Sequence, residues 1–151
     1  MRRIFICISL LIMLAACGKP DAPPRPDLNI SSAVDISYKQ MKITADTEND
    51  ENGTLKFIIR SPDNLEGVSV ICDESGITAV CGEVEIKREE GYYPFVYLYD
   101  ALKKAKSTKP VSIEKIGDGV KYVYDGFTII ADEQTNKIRH IETEYCDYEV
   151  T

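Results

Sequence analysis

Val120-Lys121-Tyr122-Val123-Tyr124-Asp125-Gly126-Phe127-Thr128-Ile129-Ile130-Ala131 is the stretch that decides the fold. Large apolar or aromatic residues recur at every second position on both sides of Asp125-Gly126, the period of a strand with one buried face. An Asp-Gly pair between two such runs signals a two-residue hairpin with a primed turn. That turn pairs Tyr124 with Phe127, Tyr122 with Ile129 and Val120 with Ala131. All six side chains then fall on one face.

Upstream, the same period recurs. Val34, Ile36 and Tyr38 alternate, and the apolar parity then jumps to Met41, Ile43 and Ala45. Such a jump marks an extra residue, most simply a bulge near Lys39-Gln40. Thr47 to Gly53 reads as an acidic, Asn-rich turn, and Leu55, Phe57 and Ile59 as the next strand. Ser61-Pro62-Asp63-Asn64 ends it, because proline cannot continue a central ladder. Val68, Val70 and Cys72 lead into the turn Asp73-Glu74-Ser75-Gly76; Ile77, Ala79 and Cys81 return. A second jump follows at Gly82, before Val84 and Ile86. Pro94 to Lys106 carries Phe95, Leu98, Tyr99, Leu102 and Ala105 at helical spacing, with lysines in its last turn, where they suit the helix dipole. Val111 and Ile113 turn back at Asp118-Gly119, Asp132 to Lys137 is another turn, and Ile138 to Val150 is the last strand. That strand contains the third jump, from Tyr145 to Cys146. Bulges bend a sheet while keeping its apolar side inward. The fold class expected is α+β, mainly β: one strongly curved antiparallel sheet of about seven or eight strands, a half-barrel, with one helix on its concave face.

The amino terminus is built differently. Arg2 and Arg3 precede an apolar run from Ile4 to Leu14, and Leu14-Ala15-Ala16-Cys17 closes it. A charged start, a short apolar core and small residues make a secretory signal, too short for a stable transmembrane helix. With cysteine at the cleavage point, the stretch resembles the lipobox of bacterial lipoproteins. The resemblance implies a diacylglyceryl group on the Cys17 thiol, cleavage before it and acylation of the new amine. The expected divisions are a signal at 1–16, a lipidated cysteine and proline-rich tether at 17–33, and a folded domain at 34–151. Extended proline-rich chain rises about 3.1 Å per residue, so ten residues hold the domain roughly 30 Å from the membrane. Gly18 stands where many Gram-negative lipoproteins kept at the inner membrane carry aspartate. Which membrane is meant stays open.

Losing residues 1–16 removes Arg2 and Arg3 from 18 basic side chains and none of the 25 acidic ones, so the formal charge moves from −7 to −9. An acidic body disfavours nucleic acid, whose phosphates need clustered Lys and Arg. It also disfavours adhesion of the folded part to an anionic bilayer. Attachment therefore falls to the lipid, whose two or three chains at about 0.8 kcal/mol per buried methylene hold firmly.

With Cys7 in the signal and Cys17 lipidated, three of the five cysteines remain. An exported protein with Cys72, Cys81 and Cys146 holds either one disulfide and a free thiol or three thiols. If Cys72 faces Ile77, Cys81 lies four residues further along the strands, on the order of 13 Å away and beyond disulfide reach. Any bridge would join Cys146 to Cys72 or Cys81.

The order of elements, with Ser61-Pro62-Asp63-Asn64-Leu65-Glu66-Gly67 before a hairpin and Tyr99-Asp100-Ala101-Leu102 in the helix, resembles LolA-like proteins over roughly residues 34–150. These include periplasmic lipoprotein carriers and surface lipoproteins, which share an incomplete β-barrel with a helix in its mouth. This chain departs from the soluble carriers in being itself lipidated and in starting on a strand rather than a helix. The resemblance implies an anchored relative more than an acyl-chain transporter.

Catalytic chemistry finds little footing. His140 is the sole histidine, on the solvent parity of its strand, and no serine has a Gly-x-Ser-x-Gly context. Cys72, Cys81, Cys146 and His140 lack the close ligand pairs of a structural zinc site. The acidic runs around Glu48 and Glu83–Glu90 lack a calcium-loop pattern. They read as solvated charge that helps edge strands resist pairing. Absent tryptophan counts against a sugar cleft. No catalytic residue, metal or cofactor is expected. Tyr92, Tyr93, Tyr97, Tyr99, Tyr122, Tyr124, Tyr145 and Tyr148 cluster on the helix and closing strands, with an apolar body and polar tip suited to a core rim or a ligand cavity. The expected ligand-lining set is Phe95, Leu98, Tyr99, Leu102, Tyr122 and Tyr124, around a lipid or an acylated protein. The alternative is an envelope scaffold lipoprotein with a filled core and an acidic protein-binding surface.

Overall fold

Period-two apolar runs separated by short polar turns fold here as antiparallel hairpins. The computed structural model describes residues 24–50, 52–88, 91 and 93–151. The lipobox, Cys17, Tyr92, Glu51, Glu89 and Glu90 lie outside them. The strands are β1 (Ala33–Tyr38), β2 (Met41–Asn49), β3 (Leu55–Ser61), β4 (Ser69–Asp73), β5 (Gly76–Cys81) and β6 (Val84–Arg88). Helix α1 (Tyr93–Ser107) follows, then β7 (Ser112–Ile116), β8 (Gly119–Tyr124), β9 (Phe127–Asp132), β10 (Ile138–Thr143) and β11 (Cys146–Val150). All eleven strands join one open antiparallel sheet in the order β6-β5-β4-β3-β2-β1-β11-β10-β9-β8-β7. The class is mainly β with a single α-helix among the described residues. The helical connection leaves one edge strand, β6, and delivers the chain to the other, β7.

The central hairpin has the expected register: Tyr124 opposes Phe127, Tyr122 opposes Ile129 and Val120 opposes Ala131, and all six are buried. Its turn differs from the primed type. Left-handed backbone occurs at Gly126 (φ 93°) and not at Asp125. Cys72 opposes Ile77 as expected.

All three parity jumps prove to be hairpin turns rather than bulges. Tyr38 pairs with Met41 around Lys39-Gln40, and Cys81 with Val84 around Gly82-Glu83. Glu144-Tyr145 separates β10 from β11, which pair through Ile141 and Tyr148. The reason is arithmetic. Across a two-residue turn, residue i opposes residue i+3, so inward positions switch between even and odd just as they do at a bulge. Three long strands thus become three hairpins, and the count rises from seven or eight to eleven. Register shifts occur instead in β2 against β3, at Thr44/Ala45, and in β10 against β9, between Ile138 and His140. The acidic turn is also shorter than expected, because β2 continues to Asn49 and buries Thr47.

One cluster of buried residues forms the core, drawn from the sheet and from Phe95, Leu98, Ala101, Leu102 and Ala105 of α1. Phe95 sets its ring against Phe57 at 4.8 Å between centroids. The buried Tyr148 hydroxyl donates to the Pro94 carbonyl (2.6 Å), filling a polar group that burial would otherwise leave unpaired. At the far end the Thr108 hydroxyl donates to the Lys104 carbonyl (2.7 Å), and the Ser107 hydroxyl lies near the carbonyls of Lys103 and Lys104. These satisfy helix-terminal acceptors where Pro110 prevents continuation.

Residues 24–32, assigned above to the tether, lie against the domain as a strap. Pro26 and Ile30 are buried. The Tyr122 hydroxyl donates to the Pro24 carbonyl, and the Asp27 amide donates to the Asn136 carbonyl (2.8 Å). The Thr47 hydroxyl donates to the Ser32 carbonyl (2.8 Å) and lies 3.2 Å from that of Ile30. The prolines obscured a short alternation, Leu28 and Ile30, that buries like a strand.

Cys72, Cys81 and Cys146 are free thiols, the second of the two alternatives left open above, and no bridge joins Cys146 to Cys72 or Cys81. β3, β2 and β1 separate β4 from β11, and at about 4.8 Å per strand that spacing exceeds disulfide reach. Burial pushes the Cys72 thiol up to about 12, with Asp100 and Asp73 adding to it; burial likewise raises Cys146. Both stay protonated at neutral pH and act as small apolar groups.

Candidate functional site: a cleft between helix and strap

The two halves of α1 meet different neighbours. Its first turns are sealed by Phe57 and Tyr148, as above. Its second half, from Tyr99 to Ser107, faces the strap across a cleft of about 740 Å³. Leu28 and Pro26 line it from the strap, Leu55 from the start of β3, and Tyr99 and Leu102 from the helix. The polar rim comes from the β2–β3 turn, with Asn49, Asp50 and Asn52, from Glu74 in the β4–β5 turn, and from Lys103 and Lys106.

Local chemistry fixes these walls. Asn49 Nδ2 donates to the Leu28 carbonyl (3.4 Å), tying the strap to the end of β2. The Asp50 carboxylate accepts the Thr54 amide (2.8 Å), which holds the β2–β3 turn and lowers the Asp50 pKa. Lys103 bridges to Glu74 (3.6 Å) and lies 5.8 Å from the Tyr99 ring centroid. Lys104 donates to the Asp125 carbonyl (2.5 Å). Both lysine pairs are exposed and belong to the class worth about 0–1 kcal/mol, so they orient the helix more than they stabilise it. Burial raises the Tyr99 phenol above its ordinary value, with Lys103 opposing the shift. A neutral hydroxyl therefore stands on an otherwise apolar wall.

Of the six residues expected to line a ligand space, Tyr99 and Leu102 line the cleft, Leu102 while also belonging to the packed core. Phe95, Leu98, Tyr122 and Tyr124 belong to the core alone. Leu98 has no exposed surface, and Tyr124 stacks on Phe127 at 4.6 Å between centroids, with 5° between the rings. Leu28, Leu55, Asn49 and Lys106 were missed. Their roles depend on the strap and on two turns converging at one end of the helix, a long-range arrangement that local periodicity does not encode.

The remaining candidates stay apart. His140 projects from the opposite face to Ile141 and stands 3.8 Å from Asp147, in a polar depression with Asp35, Lys42, Thr44 and Glu149. Among the described residues no group of three or more His, Cys, Asp or Glu is gathered as metal ligands would be. Tyr93, Tyr97 and Tyr145 stack at the surface, with centroids 5.9 and 5.2 Å apart, away from the residues of the cleft. Compared with family models, with characterised proteins and with solved structures, the chain gives no match.

Proposed function

We propose that this chain is a lipoprotein of the bacterial cell envelope, anchored on the extracytoplasmic face of a membrane through Cys17, and that its domain binds a lipid or other hydrophobic ligand. The observation that carries the ligand reading is the cleft beside the second half of α1. About 740 Å³ lies within the range of small-molecule sites. Leu28, Leu55, Tyr99 and Leu102 offer an apolar lining, and the rim offers a few polar groups to set orientation. The anchor rests on the Leu14-Ala15-Ala16-Cys17 sequence. The reading is of a binding module rather than a catalyst.

The LolA-like half-barrel, with its helix on the concave side, belongs to the same proposal. Helix α1 contacts β4, β10 and β11, from both halves of the sheet, which supports a sheet bent around it.

The test is extraction of the purified full-length protein followed by mass spectrometry, together with titration by a fluorescent fatty acid. Saturable binding that Leu102→Trp abolishes is the expected result; no uptake by a folded protein contradicts the ligand reading. One observation favours the scaffold alternative: five of the six expected lining residues, Leu102 among them, belong to the core cluster. Pull-down from envelope extracts separates the readings, because contacts led by an acidic surface weaken with salt.

A further inference from the structure

Among the described residues strand β6 ends the sheet, and all five of its residues are exposed. Val84 is 60% exposed and Ile86 45%, on the side shared with their inward-parity partners Cys81 and Ala79. Glu85 and Lys87 occupy the other side. A two-residue turn closes on a hydrogen-bonded pair, here Cys81 with Val84, and such pairs then alternate along the ladder. Ala79 with Ile86 and Ile77 with Arg88 therefore bond inward, and the N–H and C=O groups of Glu85 and Lys87 point outward, with no strand paired to them among the described residues.

We infer that β6 is a self-association edge, pairing antiparallel with β6 of a second copy in the register centred on Ile86. Backbone pairing and charge agree in that register, and the apolar contact follows from it. The outward backbone groups of Glu85 face those of Lys87 in the other copy, and the reverse, which makes two hydrogen-bonded pairs. The same two pairs are of opposite charge on one face. Ile86 meets Ile86 in the intervening non-hydrogen-bonded position, where side chains approach most closely. The neighbouring symmetric registers of the same parity set Glu85 against Glu85 or Lys87 against Lys87. The charge that generally blunts an edge here excludes the wrong pairings and leaves one. The other edge lacks this property: its central residue is Glu114, so symmetric pairing of β7 about its middle opposes like charges.

The experiment uses full-length chain in whole bacterial cells, with Ile86→Cys in a Cys81→Ser background and mild oxidation, read on a non-reducing gel. A disulfide-linked species at twice the monomer mass is expected. Adding Glu85→Lys, or Lys87→Glu, should lower the cross-linked fraction by about tenfold, since each single change turns two attractive pairs repulsive. Combining the two should restore it. All these positions are solvent-exposed, and far-UV circular dichroism of each variant checks that the fold is retained. Absence of the cross-link in a folded variant, or cross-linking indifferent to the charge changes, overturns the proposal.

Discussion

The two halves of α1 carry the same apolar period and meet opposite fates. Around Phe95 and Leu98 the helix presses onto Phe57 and Tyr148, and both side chains are buried. Around Tyr99 and Leu102 the opposing surface is a strap and two turns, and a cleft remains. Helical periodicity specifies which side chains face inward. Whether they meet protein or space depends on elements distant in the chain, so a lining residue is defined by its neighbours more than by its own type.

The largest effect should come from the sealed half. Leu98→Ala removes a fully buried side chain and should cost about 2–5 kcal/mol in chemical unfolding; a cost near zero would mean that this half is also hollow. Tyr148→Phe comes next. The Pro94 carbonyl keeps its place in the helix ladder, so the change removes one buried hydroxyl–carbonyl hydrogen bond, at about 0.5–1.5 kcal/mol, measured in the same way. Leu102 is buried and also forms part of the cleft wall; Leu102→Trp should change stability by less than about 1.5 kcal/mol, because the added ring turns into the cleft, while it removes ligand uptake. An overpacking penalty as large as a core site would show would erase the contrast between the halves.

The smallest effect lies far from both. The Asp132 carboxylate accepts hydrogen bonds from Thr135 and Gln134 and pairs with Arg139, which holds its pKa down to about 2 from the ordinary 3.8. A carboxylate depressed on folding contributes stability that is full above about pH 4 and lost as pH falls toward 2. Asp132→Asn should flatten that part of an acid unfolding curve and leave neutral-pH ligand binding unchanged. The group is exposed, so the change is small.

Hairpin registers and the helix were legible because each is local. Tyr124 opposite Phe127 and Cys72 opposite Ile77 follow from turn chemistry, and Pro94 to Lys106 differs from the observed Tyr93–Ser107 by one residue at each end. The strand count was not legible from parity alone, since Lys39-Gln40 inverts the inward set whether it is a bulge or a turn. Lys39 adopts φ 55°, a turn conformation that its residue type does not advertise. The strap was hidden because Pro20 to Pro26 signals extended chain, and only tertiary partners such as Tyr122 and Thr47 dock it. The site was half legible: Tyr99 and Leu102 lie on the helix face that periodicity marks, whereas Leu28 and Leu55 reach it from elsewhere.

A methyl-resolved NMR titration with palmitate tests the central claim most directly, because it reads both halves of the helix at once. Saturable shifts at Leu28, Leu55 and Leu102, with Leu98 and Ile129 unmoved, are the predicted result. Unmoved methyls at Leu28, Leu55 and Leu102 under saturating palmitate, or shifts of equal size throughout the core, would contradict a ligand site between helix and strap.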